Sequence, residues 1–443
     1  MNRTILIPTF MMLFTATAFS VPGVSTVEVF PPDPALGTVR VTYSLANPPA
    51  IVTAELFENG VALPDEAHTY LDGDVNRYVT NTACSFTWDP RHAWPGHRMD
   101  GTLTVRVTAH TLADPPLYCV VDLSQGSEGN AFPLEFYTSS NAVPDGVTAE
   151  CYKRQKLILR KIPRTGADGF LMGAPEFEGS RDAIREKQHR VILTRDFYMG
   201  VFEVTQEQFR RICGEQILGT RFQTIHTENA PENYTSMNPV LPMDTNNFAM
   251  IRGSVADGID WPSTGYTVKE NSFMDILRRK TGNLLLFDLP TDAQWEYAAR
   301  AGSMGSYPSG DLWMYTQANG ESWNDVIERG NSNYVGKIGA FVNFQGSHIG
   351  YPLPVGSLRP NAWGLYDVCG NIYERVLDWV DRQNSLTNAV DPVGTDAEHV
   401  YRVFRGGSYN YSLADIRLPR RSAESPDRCT GYIGFRIAAT IVE

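Results

Sequence analysis

Six cysteines and eight histidines are the side chains of this 443-residue chain best suited to hold a soft or borderline metal, or to attack a substrate. Their spacing argues against both roles. No two cysteines stand as Cys-x-x-Cys, which excludes a zinc ribbon. No histidines stand as His-Glu-x-x-His, the helical zinc pair of metalloproteases. His92 and His97 come closest, in a stretch around Asp89-Pro90-Arg91 and Trp94-Pro95 that has the composition of a surface loop. Cys84 and Cys119 both fall in the N-terminal region and could pair if the compartment is oxidising, which the sequence leaves open.

Charge and length narrow the classes further. Thirty-eight Lys and Arg stand against fifty Asp and Glu, a formal charge of −12, so no nucleic-acid partner is expected. The length suits two domains. Residues 1–20 read as a signal peptide: Met1-Asn2-Arg3 is followed by the apolar run Ile5 to Phe19, with small residues at Ala16, Ala18 and Ser20 for cleavage. That run contains Pro8 and is shorter than the roughly 20 residues a membrane span needs. A periplasmic or secreted protein with no membrane span is expected.

Two textures follow. Residues 21–137 alternate apolar and polar side chains, as in Val39, Val41, Tyr43 and Leu45 and again in Leu103, Val105, Val107 and Ala109. Glu58-Asn59-Gly60 supplies a tight hairpin turn, and Trp88 suits a core position. The expectation is an all-β sandwich of immunoglobulin or fibronectin type. Residues 138–150 read as a polar linker, and residues 151–443 as an α+β domain rich in loops. Within it, Thr205 with Gln208 and Thr291 with Gln294 form capping boxes that open two short helices. A third helical pattern runs from Phe273 to Arg279. So many loops need fixed tie points, and bound cations are one way to provide them.

Six motifs in register carry a family resemblance. They are Gly169-Phe170-Leu171-Met172-Gly173, Glu203-Val204-Thr205-Gln206-Glu207-Gln208-Phe209 and Leu289-Pro290-Thr291-Asp292-Ala293-Gln294-Trp295-Glu296-Tyr297-Ala298-Ala299-Arg300. Then come Asn361-Ala362-Trp363-Gly364-Leu365-Tyr366-Asp367-Val368-Cys369-Gly370-Asn371, Arg405-Gly406-Gly407-Ser408-Tyr409 and Gly434-Phe435-Arg436. From about Leu157 to the C-terminus the chain resembles the sulfatase-modifying factor family, the formylglycine-generating enzymes and their relatives. The resemblance implies a C-type-lectin-like fold.

The same resemblance implies an activity and then removes its chemistry. Active members hold copper through two cysteines and oxidise a substrate cysteine to formylglycine. Counted from the Gly-Gly-Ser-Tyr motif, the two positions here are Tyr411 and Ile416, and no cysteine occurs between Cys369 and Cys429. A phenol and an aliphatic chain cannot replace a soft thiolate pair for copper, so neither copper nor cysteine oxidation is expected. Tyr373 and Arg375 also stand where the family usually has two tryptophans.

Two functions remain. The resemblance implies calcium, held by the side chains of Asp367 and Glu374 and the carbonyls of Gly370 and Ile372. Two hard carboxylates flanking a glycine turn agree with calcium's preference for oxygen ligands. A second family calcium loop, where Asn333, Ser347 and Ile349 would fall, is not expected to be kept. Between the last two motifs lie Tyr409, Tyr411, Arg417, Arg420 and Arg421, on the stretch that lines the active-site mouth in this fold. Tyr and Arg suit a recognition surface, and the layout is similar to the retroelement-diversified variable proteins. The opposed reading has these arginines pairing Asp415, Glu424 or Asp427 to pin a loop. The sequence thus points to a non-oxidase binding or accessory protein for a protein or glycan ligand, a sulfatase among the candidates; the alternative is formylglycine generation, or a related oxidation, with a different metal set.

Overall fold

The computed structural model describes residues 21–214, 238–262, 266–308, 351–380, 388–394, 400–412 and 414–440. The first eight strands are β1 (Gly23–Val29), β2 (Val39–Ala46), β3 (Ala50–Glu58), β4 (Val61–Ala62), β5 (Leu71–Gly73), β6 (Arg77–Val79), β7 (Ala83–Trp88) and β8 (Leu103–His110). In β2 every second residue is buried, as a two-residue period requires of a strand with one face on a core. The order β1-β2-β7-β5 makes one sheet, and β3 joins β4, β6 and β8 in another. Val41, Tyr43, Val52, Phe86 and Val107 from the two sheets share one apolar cluster. Asn59 and Gly60 take φ of 50° and 78°, the left-handed values a tight turn between β3 and β4 demands. Trp88 is fully buried and donates its Nε1–H to the Ala67 carbonyl at 2.9 Å. After β7 comes the single turn α1 (Pro90–Ala93), capped by Asp89. His92 lies 2.9 Å from the same Asp89 carboxylate and His97 stacks on Trp94, which disperses the two histidines.

Beyond β8 the chain runs through β9 (Tyr118–Asp122), β10 (Leu134–Tyr137), α2 (Cys151–Arg154), β11 (Lys156–Ile162), β12 (Phe170–Met172), β13 (His189–Ile192) and β14 (Phe197–Gly200). Next are α3 (Gln206–Cys213), α4 (Phe248–Ile251), α5 (Phe273–Lys280), β15 (Leu286–Asp288) and α6 (Asp292–Arg300). The last elements are β16 (Tyr373–Trp379), β17 (Ala389–Val390), β18 (Arg402–Arg405), β19 (Ser422–Glu424), β20 (Ile433–Gly434) and β21 (Ala438–Thr440). A six-stranded sheet of order β10-β9-β11-β14-β21-β15 forms the base, and the four strands β19-β18-β16-β20 form a second layer of loops and ladder.

Two expectations change. The first unit does not extend to residue 137, because β9 pairs with β11 in the second unit's central sheet and β10 joins that sheet through β9. The segment expected as a linker is packed too: Ala142 and Val143 are buried against Tyr118, Tyr137 and Tyr152. The physical reason lies in β9, where Tyr118, Cys119, Val120 and Val121 are buried on both faces. Such a run has no alternation to mark which sheet it belongs to. Of the alternatives open for Cys84 and Cys119, the structure takes the unbridged one, since they sit in separate cores as free thiols.

The capped helices form where the boxes place them. Thr205 accepts from the Gln208 amide while the Gln208 side chain accepts from Thr205 N–H, and Thr291 with Gln294 repeats the arrangement at α6. Ala301 at φ 47° ends α6 in the left-handed region. The α3 and α5 faces meet through Phe209 and Phe273, whose rings stack at 5.2 Å, and Phe435 meets Phe273 edge-on at 5.1 Å. Among the described residues no helix is long and apolar enough to cross a membrane. Phe273 is wholly buried in this contact, so Phe273→Ala is predicted to lower stability by about 3–5 kcal/mol. The urea unfolding midpoint measures it, and a loss under about 1 kcal/mol would be at odds with a packed α3–α5 junction.

Candidate functional site

Three wholly buried guanidinium groups organise the loops around β16 and β18. Arg436, just before β21, gives Nη2 and Nε to the two Glu374 oxygens at 2.5 and 2.6 Å. The same side chain caps the carbonyls of Gly200 at 3.0 Å and Tyr366 at 2.8 Å, and Trp295 Nε1 donates to Glu374 at 2.7 Å. Arg405, at the end of β18, ties Asp292 at 2.5 Å and Glu296 of α6, and also holds the Leu418 and Arg420 carbonyls. Burial works to raise the Glu296 carboxyl, but Arg300 and Arg405 hold it down at about 2. Arg417 completes the set, with Glu178 at 2.7 Å, Glu186 at 2.9 Å and the Ser180 carbonyl at 2.7 Å.

This places the expected calcium residues in one loop but gives them unequal work. Asp367 and Asn371 take φ of 58° and 61°, and Gly370 φ of 88°, so the chain turns tightly between the carboxylates. Asp367 accepts the Gly356 amide at 2.6 Å, while Glu374 spends both oxygens on Arg436 and Trp295. Glu203 joins them: it accepts from the Asn371 amide group at 2.6 Å and from Ile372 N–H at 3.2 Å. Burial pushes the Asp367 carboxyl up to about 6, and burial with Asp367 and Glu374 nearby raises Glu203 well above its usual range. Three buried carboxyl groups thus share Arg436 and the half-buried Lys153, and the burial and crowding that raise two of them are what a further cation would relieve. The donor geometry suits it less, because Glu374 is already committed. Among the described residues no three His, Cys, Asp or Glu side chains converge into a metal cage. Asn333, Ser347 and Ile349 lie outside the described residues.

The two positions that the resemblance would assign to copper ligands are plainly apolar or aromatic. Tyr411 packs edge-on to Tyr373 at 5.0 Å and tilted to Tyr432 at 5.7 Å. Ile416 is fully buried in the core beside Leu418 and Trp295. Cys369 is also fully buried, and burial raises its thiol far above the usual range. The residues present therefore do not fit copper. Arg375 serves structure, bonding Asn246 and the Arg428 carbonyl.

The recognition candidates divide into two kinds. Arg417 is wholly buried and its donors are spent on Glu178, Glu186 and backbone carbonyls, so it is not a surface contact. Arg421 is buried as well, 2.5 Å from Asp292, and Tyr409 is 3% exposed with its hydroxyl on the Gly431 carbonyl. Tyr411 and Arg420 remain half-buried at the surface, the latter 3.5 Å from Asp415 and 3.4 Å from Glu186. Pinning thus accounts for most of the arginines, through Glu178, Glu186 and Asp292 rather than mainly through the expected local acids. Glu203, Glu296, Arg405 and Arg436 were inside recognisable motifs but carried no assigned role; the signal was a charged residue framed by apolar and glycine neighbours.

A β-rich domain whose loops are cross-linked by buried arginine–carboxylate networks defines the class. Residues 165–441 match the Sulfatase-modifying factor enzyme 1-like domain, and the chain belongs to that family. It is 32% identical over 336 residues to the formylglycine-generating enzyme of Mus musculus, covering 72% of this chain and 85% of the mouse protein. With the formylglycine-generating enzyme of Streptomyces coelicolor it shares 36% identity over 154 residues, 34% of this chain and only 46% of that enzyme. The solved structure of PvdO from Pseudomonas aeruginosa is similar at 21% identity and a TM-score of 0.46, over 64% of this chain and 94% of PvdO.

The two kinds of arginine are separable by mutation. Arg417→Ala strands two buried carboxylates and is predicted to cost about 3–5 kcal/mol. Arg420→Ala, at a 27% exposed side chain, is predicted to cost about 1 kcal/mol or less. Chemical denaturation of both variants checks this, and equal losses would contradict the division.

Proposed function

We propose that the chain is a recognition or accessory member of its family rather than a cysteine-to-formylglycine oxidase. One observation carries this reading: the two copper-cysteine positions hold Tyr411 and Ile416, and the aromatic and aliphatic packing around them leaves no thiolate pair to bind copper. The ligand is a protein or glycan that meets the surface around Tyr411 and Arg420, and a sulfatase is one such protein. The N-terminal pair of sheets serves as an immunoglobulin-type spacer that carries this face. Incubation with a Cys-x-Pro-x-Arg peptide, copper and oxygen is predicted to yield no aldehyde by mass spectrometry while an active relative does. Aldehyde above the blank overturns the reading.

Calcium belongs to the same proposal as a structural ion, with Asp367 as its carboxylate and the Gly370 and Ile372 carbonyls as neutral donors; Glu374 would have to share its oxygens with Arg436. The crowding of Glu203, Asp367 and Glu374 in one buried loop, which raises the first two carboxyls, supports it. Chelation is predicted to lower the melting temperature, and Asp367→Ala to abolish that response. A melting temperature indifferent to chelator removes the ion from the account. Secretion or periplasmic export is the third part, supported by the composition of residues 1–20. The mature protein is predicted to begin after Ala18 or Ser20, and intact-mass measurement showing Met1 retained contradicts it.

A further inference from the structure

Among the described residues, buried carboxylates are faced by cations, with one exception. Glu374 and Glu203 have Arg436, Glu296 has Arg300 and Arg405, Glu178 and Glu186 have Arg417, and Asp288 has Arg252 and Arg278. Asp378 lies within electrostatic reach of Arg421 and Arg402. Asp244 has no such neighbour among the described residues, although it is only 7% exposed. Its carboxylate accepts the Thr245 hydroxyl at 3.0 Å, which supplies a dipole but no charge.

A second group beside it is also unsatisfied. The Thr430 hydroxyl is buried and has no hydrogen-bond partner among the described residues. Thr245 N–H donates to the Thr430 carbonyl at 2.9 Å, so the segments carrying the acid and the hydroxyl lie side by side. Tyr409 closes one flank, with its hydroxyl on the Gly431 carbonyl and its ring within electrostatic reach of Asp244 and Tyr432. From Tyr432 the aromatic wall continues to Tyr411 at 5.7 Å, and both of these tyrosines are half-buried.

We propose that Asp244, the Thr430 hydroxyl and the wall of Tyr409, Tyr432 and Tyr411 form a site for an alkylammonium group presented by a ligand. The proposal rests on the recognition reading above and gives it a ligand chemistry. An ammonium supplies the charge that Asp244 lacks, donates to the Thr430 oxygen, and is attracted to the faces of tyrosine rings. A neutral hydroxyl ligand would satisfy the hydrogen bonds but leave the buried charge uncompensated. Burial alone pushes the Asp244 carboxyl up to about 7, consistent with a carboxylate that has no resident partner.

The test is calorimetric titration of the full-length protein with Nα-acetyl-lysine amide and with the same compound acetylated at Nε. The charged probe is expected to bind at least about ten-fold tighter, a difference of about 1.4 kcal/mol. Asp244→Asn is expected to abolish that preference with its melting temperature kept or raised, because it removes an uncompensated buried charge. Tyr411→Leu, at the outer end of the wall, is expected to weaken the charged probe several-fold, and it carries the test if Asp244→Asn does not fold. Equal affinity for the two probes, no saturable binding at millimolar probe, or unchanged preference in the variants overturns the site. Failure here is distinct from failure of the recognition reading: a protein or glycan ligand bound without amine preference sinks only this site, whereas aldehyde formation from the cysteine peptide sinks the reading on which it rests.

Discussion

Burying a guanidinium costs several kcal/mol unless carboxylates and carbonyls replace its water, and this constraint governs the domain. Arg405, Arg417 and Arg436 are each wholly buried, and each joins acids and carbonyls from segments far apart in the chain. Arg417 reaches back more than two hundred residues to Glu178 and Glu186. Because the donors of a guanidinium are fixed in a plane, the partners must meet it in one arrangement. The loops are therefore held by side chains that are far more demanding of geometry than apolar packing would be. A loop-rich domain needs tie points, and here arginines supply them.

That division of labour separates scaffold from surface in the stretch between the Gly-Gly-Ser-Tyr and Gly-Phe-Arg motifs. Arg417 and Arg421 point inward to Glu186 and Asp292, and Arg405 holds the Leu418 and Arg420 carbonyls from below. What is left outward is an aromatic face with Tyr411 and Tyr432, beside the half-buried Arg420. Such a face is ordered before any ligand arrives, which reduces the entropy lost on binding. Tyr411 and Ile416 sit within that frame, the first against Tyr373 and Tyr432 and the second in the core beside Leu418.

Much of this was legible in the sequence, and the rest was hidden for physical reasons. The capping boxes at Thr205 and Thr291 are local, so their helices form where spacing puts them. The alternation of β2 was equally local. Strand β9 was not, since a strand buried on both faces carries no period to assign it to a sheet. Arg417 shows the same limit for side chains: its partners Glu178 and Glu186 lie on another loop, and no pattern around Arg417 announces that it turns inward. Family motifs located the Asp367–Glu374 loop but not the Arg436 contact that engages Glu374. Asp244 escaped notice because its peculiarity is the charge missing around it.

The claim that buried arginines fix the stretch between the Gly-Gly-Ser-Tyr and Gly-Phe-Arg motifs is tested most directly by native-state hydrogen exchange. The amides of Leu418, Arg420 and Tyr411 donate to the carbonyls of Ser306, Arg417 and Ser408 respectively. If the arginine networks hold the stretch, these amides exchange as slowly as those of β16 and open only with global unfolding. Exchange on the timescale of a free loop, while β16 stays protected, would contradict the account.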